Sequence, residues 1–176
     1  ETVSAKLGRN HSAPIVIESV DRQVFLDAVA RDPTERDAAQ LIVNAIRTLQ
    51  AARAKIFAVC ANGIHRFEHI IREETGVEIQ NIATATAQHA KSLGLRTVGL
   101  LGVQKTMEGV FFQEALATHG IDVIVPAQAQ RTLVHERIVG ELVHGRFENS
   151  TRNDFEEVSR TLARHGAQAI VMGCTE

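Results

Sequence analysis

The chain has 176 residues, of which 44% are hydrophobic and 23% charged. That balance excludes a disordered or fibrous polypeptide and gives length enough for one α/β domain or two small lobes around a cleft. Nineteen Lys and Arg stand against 21 Asp and Glu, a formal net charge of −2, and without a basic stripe interleaved with aromatics no nucleic-acid partner is expected.

In chain order, residues 13–20 (APIVIESV) read as a short β-rich run, and residues 32–53 carry apolar positions at helical spacing. Residues 55–60 (KIFAVC) predict a second, buried strand, and residues 65–76 a helix closed by Gly76. Residues 77–82 then read as a strand, 84–95 as a helix, 96–103 as a strand, and 107–120 as a helix ended by Gly120. Residues 121–126 are the next strand, followed by helical stretches over 129–145 and 154–166 and a last strand over 167–174. Strands alternating with helices of this length imply parallel βαβ units, with apolar strands covered on both faces.

No apolar run reaches the length of a bilayer, and ETVSAKLGRN lacks the order of a secretory signal. The expectation is a cytoplasmic protein with no membrane partner. Two widely separated cysteines, Cys60 and Cys174, are then expected as free thiols. The chain opens at Glu1 without a Met and stops two residues after a cysteine, which sets the expectation that it is truncated at both ends.

Several motif-like strings are set aside. His65, Glu68 and His69 spell H-x-x-E-H, the inverted zincin pattern, but without a third ligand the favoured reading is a helix face and no metal. GLLGVQKT has Gln104 where a phosphate loop needs glycine, and neither G-x-G-x-x-G nor G-x-S-x-G occurs. What remains is an echo: AKIFAVCANG and AQAIVMGCTE are both Ala-rich apolar runs with a thiol near their ends. In parallel α/β sheets ligands bind beyond such carboxyl ends. A thiol there is a competent base or nucleophile once ionised; as a bland alternative, Cys174 is a buried structural cysteine.

Residues 8–20 (GRNHSAPIVIESV), 99–126 (GLLGVQKTMEGVFFQEALATHGIDVIVP), 140–147 (GELVHGRF) and 162–176 (LARHGAQAIVMGCTE) together resemble the aspartate/glutamate racemase family, amino-acid racemases that work without pyridoxal phosphate. The resemblance runs over essentially the whole chain, and Gly-Cys-Thr-Glu is its most specific tag. It implies two pseudo-symmetric flavodoxin-like lobes with parallel sheets, here 1–93 and 94–176, with the active site between them. It also implies that the family's first strand and last helices lie outside this sequence. A homodimer, a small amino-acid or dicarboxylate substrate and no cofactor are further implications.

By the same resemblance Cys174 corresponds to one acid/base thiol. Relatives commonly read Cys-Asn-Thr-x-His, and matching Asn62 and His65 puts Ala61 at the first thiol's position, with Gly63 in place of Thr. A branch reading Cys-Thr-Asn-Thr-Met-His is most like CANGIH, and its Thr also falls on Ala61. If the strand persists through residue 61, alternation turns Cys60 away and into the core, whereas a local bulge would re-aim its sulfur into the cleft. Asn62, Gly63, Thr106 and Thr175 are the implied substrate-binding positions, and His65 either fixes the loop or starts the helix. The resemblance thus implies thiol-based racemisation of an acidic amino acid. The alternatives are a single-thiol decarboxylase or lyase of the same superfamily, or a dicarboxylate-binding protein disabled at Ala61.

Overall fold

The computed structural model describes residues 3–176; Glu1, on which the expectation of a missing start rests, lies outside the described residues. The chain divides into two compact units. One comprises residues up to Phe57 together with His69–Glu78, and the other comprises Ala58–Glu68 and Ile79–Glu176.

In the first unit, α1 (Val3–Leu7) precedes α2 (Arg22–Arg31) and α3 (Arg36–Ala51). Asp21 caps α2 by accepting from the N–H groups of Gln23 and Val24, which satisfies donors that a helix start leaves free. Asp32 does the same for α3, accepting from the N–H groups of Thr34, Arg36 and Asp37. The bond from the Thr34 hydroxyl, and after it these backbone bonds, hold its carboxyl down at about 2. Ala38, Ala39, Ile42, Val43 and Ile46 form the buried stripe of α3, and Arg47 and Gln50 in its last turns bond Glu74 and the Thr75 carbonyl.

Of the two strands expected in the first sixty residues, one does not form and the other is shorter. Residues 13–20 form no strand, and Ile15 and Ile17 stay 74% and 84% exposed. An apolar run becomes a strand only when a neighbour takes its ladder bonds, and among the described residues none pairs with this one. The second run shrinks to the two residues of β1 (Phe57–Ala58), with Ile56 exposed before it. Helix α2 has no counterpart among the expected elements.

The second unit follows the expected pattern closely. After a 3₁₀ turn (Asn62–Phe67), α4 (Glu68–Thr75) carries the chain into the first unit. The chain returns at β2 (Ile79–Gln80) and continues through α5 (Ile82–Ser92), β3 (Thr97–Leu101), α6 (Gln104–Glu108) and α7 (Val110–Ala117). It then runs through β4 (Asp122–Ile124), α8 (Gln128–Gly140), α9 (Asn149–Arg164) and β5 (Ala169–Met172). Gly76 and Gly120 take φ of 69° and 74°, the left-handed stop expected of them.

Strands β4, β3 and β5 lie side by side in that order, both pairs parallel, with Val98 opposite Val123 and Ala169, and Leu101 opposite Met172. Side chains alternate along a strand, and β3 shows the consequence. Val98 and Leu100 join Ala83, Ala87, Phe112 and Leu116 of α5 and α7 on one face. Leu101 joins Met107, Val134, Ile138, Val158 and Leu162 of α6, α8 and α9 on the other. Gly99 stands where a Cβ would meet the Cδ1 atoms of Ile170 at 2.7 Å and Leu162 at 2.9 Å, so a side chain there would require both to move aside. The result is an α/β fold with a parallel sheet covered on both faces, the expected class. Among the described residues no helix is long and apolar enough to cross a membrane.

Candidate active site

The carboxyl ends of β3 and β5 are joined above the sheet. The Gly173 N–H donates to the Leu101 carbonyl at 2.6 Å, so the chain leaves β5 in a fixed direction and delivers Cys174 and Thr175. Cys174 is half-buried, with its hydrocarbon side against the Leu101 cluster. Its S–H donates to the Glu176 carboxylate at 2.9 Å, and the Thr175 hydroxyl donates to the same oxygen at 3.2 Å. Burial, then the bond and charge of Glu176, push the Cys174 thiol up to about 11. At neutral pH the thiol therefore keeps its proton.

The opposite rim comes from residues 59–62. Ala61 is extended, and its carbonyl accepts from Ile64 N–H at 3.2 Å, starting the 3₁₀ turn. His65 is 2% exposed beneath this rim. The Ile82 N–H donates to its Nδ1 at 3.4 Å, which leaves Nε2–H to donate to the Val59 carbonyl at 3.2 Å. The ring therefore ties the rim to the start of α5, and burial lowers its pKa. Asn81 caps α5 through Ala83 and Thr84 and also bonds Glu68. His65 and Glu68 of the H-x-x-E-H string thus hold the loop, while His69 is exposed. Among the described residues no group of three or more His, Cys, Asp or Glu is placed to hold a metal.

Between the rims lies a cavity of about 340 Å³, lined by Cys60, Ala61 and Asn62 on one side and Cys174 and Thr175 on the other. Ile82 and Thr86 of α5, Phe112 of α7 and Val171 and Met172 of β5 complete it. A larger hollow of about 710 Å³ also reaches Cys174, over an apolar floor that includes Ile138, Leu142 and Phe155. The smaller cavity is the better reactive site, because both thiols, an amide and two hydroxyls line it.

Five of the seven expected positions therefore share one cavity. Gly63 sits one step further round the turn, its carbonyl taken by Arg66, and Thr106 is buried away from the cavity lining. Cys60 departs from the reading that strand alternation gives: it is exposed, not packed in the core. The reason is that β1 ends at Ala58, so the alternation argument has no strand to act on. Thr86 and Phe112 are wall residues that sequence reasoning misses, since helical spacing gives a buried face without saying which turn meets a cavity. Glu176, the thiol's partner, is a further addition, although it belongs to the Gly-Cys-Thr-Glu tag that signals it.

The sequence matches the model of the Asp/Glu/Hydantoin racemase family over residues 1–176. The chain belongs to that family. Among solved structures it resembles a candidate Asp/Glu racemase from Yersinia pestis, at 37% identity and a TM-score of 0.89 over 98% of this chain and 75% of the other. An aspartate racemase homologue from Pyrococcus horikoshii OT3 gives 24% identity and a TM-score of 0.80, over 99% and 76%. The Picrophilus torridus aspartate racemase gives 22% and 0.56, over 78% and 56%. The last two likenesses are of fold alone. Membership in a family of racemases agrees with the resemblance seen in the sequence.

Proposed function

We propose that the protein is a cofactor-independent racemase that interconverts the L- and D-forms of an acidic amino acid by moving the α-proton between thiols. The observation that carries this reading is the presence of both cysteines on one cavity, in a member of a racemase family. One sulfur, as thiolate, takes the α-proton: the C–H bond breaks, an S–H bond forms, and the electron pair passes towards the substrate carboxylate. The other thiol gives its proton to the opposite face, so the substrate leaves inverted and the two sulfurs have exchanged states.

Cys174 and Cys60 are the two thiols in this reading, and Ala61 supplies only a methyl wall. Asn62 and Thr175 offer an amide and a hydroxyl to the substrate's carboxylates. Cys174 rests protonated, held so by burial and by Glu176, and is ready as the donor; in the reverse direction it begins as the thiolate that the forward turn leaves behind. With the reading go the two-lobe division over 1–93 and 94–176 that the family resemblance implies, and a cytoplasmic homodimer, for which two free thiols suit a reducing compartment.

Ala61 on the cavity, at the position matching the family's first acid/base, favours one alternative: a single-thiol lyase that releases carbon dioxide and protonates from the Cys174 side only. Chiral chromatography of D- and L-aspartate and D- and L-glutamate after incubation, beside carbon dioxide release from a substituted malonate, separates the two. Racemised product that disappears in Cys174→Ser supports the proposal. Carbon dioxide release with no racemisation replaces it with the lyase.

A further inference from the structure

Thr106 was expected to bind a carboxylate, yet it is only 3% exposed and does not line the thiol cavity. Its methyl group instead fills the space left by two glycines at the carboxyl ends of adjacent strands. A Cβ on Gly102 would stand 3.0 Å from Thr106 Cγ2 and 3.1 Å from the Gly173 carbonyl oxygen. A Cβ on Gly173 would stand 2.9 Å from the same methyl and 2.9 Å from the Leu101 carbonyl oxygen. The methyl thus rests against the backbone that carries Cys174, one residue before the thiol.

The support behind Thr106 is firm. Its helix, α6, is pinned to α8 by the Gln104 N–H donating to His135 Nδ1 at 3.3 Å and by the Arg131–Glu108 ion pair at 3.0 Å. From the strand side, the bond from Gly173 to Leu101 pulls the turn down onto the sheet. The turn at Gly173 is therefore held between a hydrogen bond and a methyl stop, with no side chain of its own to intervene.

The geometry points to Thr106 as a positioning residue, whose methyl sets the height of the Gly173–Cys174 turn and so the place of the Cys174 sulfur in the cavity. The inference rests on the racemase reading for its kinetic consequence, but not for its structural one. Misplacement of a reacting atom by even about 1 Å costs on the order of 100-fold in rate, so loss of one methyl has room to act through position alone.

The test compares Thr106→Ser, which keeps the hydroxyl and loses the methyl, with Thr106→Val, which keeps the methyl shape and loses the hydroxyl. Iodoacetamide labelling of Cys174, read by peptide mass across pH, is run beside kcat and KM. We expect Thr106→Ser to lower kcat by about tenfold with KM nearly unchanged and to shift the labelling profile, and Thr106→Val to leave both within about twofold. A wild-type-like Thr106→Ser with a raised KM in Thr106→Val overturns the inference in favour of carboxylate binding, and equal effects of the two overturn it as well. Should Thr106→Val not fold, Gly102→Ala takes its place, since its new Cβ presses the same methyl. A labelling shift smaller in the Thr106→Ser background than in the wild type supports the inference, and an equal shift contradicts it. Absence of racemisation in the wild type defeats the racemase reading, while the labelling arm still decides the role of Thr106.

Discussion

The two rims of the cavity are built on different physics. The Cys174 rim continues a strand that pairs with β3, and its first bond beyond the sheet, Gly173 to Leu101, is backbone to backbone. The Cys60 rim follows a strand of two residues and is held by side chains, chiefly the His65 ring between Val59 and Ile82. A rim tied by the main chain responds to packing, whereas a rim tied by one imidazole responds to protonation. The same cavity thus joins a fixed thiol to an adjustable one, and four measurements separate them.

The largest effect is expected below the fixed rim. Leu101→Ala empties a fully buried site under Cys174 and should cost about 2–5 kcal/mol in chemical denaturation, with the Cys174 labelling rate changing in parallel. On the adjustable rim, His65→Ala leaves the Val59 carbonyl and the Ile82 N–H without their partner, at a cost of about 1–3 kcal/mol. Cys60 labelling should then rise while that of Cys174 stays close to wild type. If both thiols respond alike to each substitution, the rims are not independent.

The pH dependence should divide them in the same way. Burial holds His65 below its ordinary value of 6.5. The folded state therefore resists a proton that the unfolded chain accepts, so this contribution to stability is complete above 6.5 and is lost as pH falls below it. A thermal melt that declines from about pH 6.5 downward, and declines less in His65→Asn, is the expected result. The smallest effect concerns Glu176: Glu176→Gln removes the charge beside Cys174 but leaves the burial that is the main cause of its raised pKa. Cys174 labelling at about pH 8 should therefore speed up only a few-fold, with no change at Cys60.

The Cys174 rim is legible in the amino-acid sequence and the Cys60 rim is not, for a physical reason. Strand β3 is an apolar run set between helices and buried on both faces, and β5 is an apolar run that follows α9 and pairs with it, so their composition alone marks them. Residues 13–20 and 55–60 have similar composition, but a ladder also needs a partner at the right register, which composition does not encode. Placing Cys60 in the core extends an alternation past the point where the strand stops at Ala58. The sequence leaves the fixing role of His65 as one of two readings, because a histidine at a helix start has the same local sequence whether its ring turns out or in. The family tag locates Cys174 and Thr175 directly, yet Thr106, equally part of a family-like segment, lies away from the cavity because its methyl is taken up by two glycines.

The proposal that two sulfurs share one substrate is tested most directly by following solvent deuterium into the α-position of each enantiomer of aspartate and glutamate. The account predicts exchange from both enantiomers in the wild type, with Cys174→Ser abolishing it for one and Cys60→Ser for the other. Exchange that continues unchanged in Cys174→Ser would contradict it.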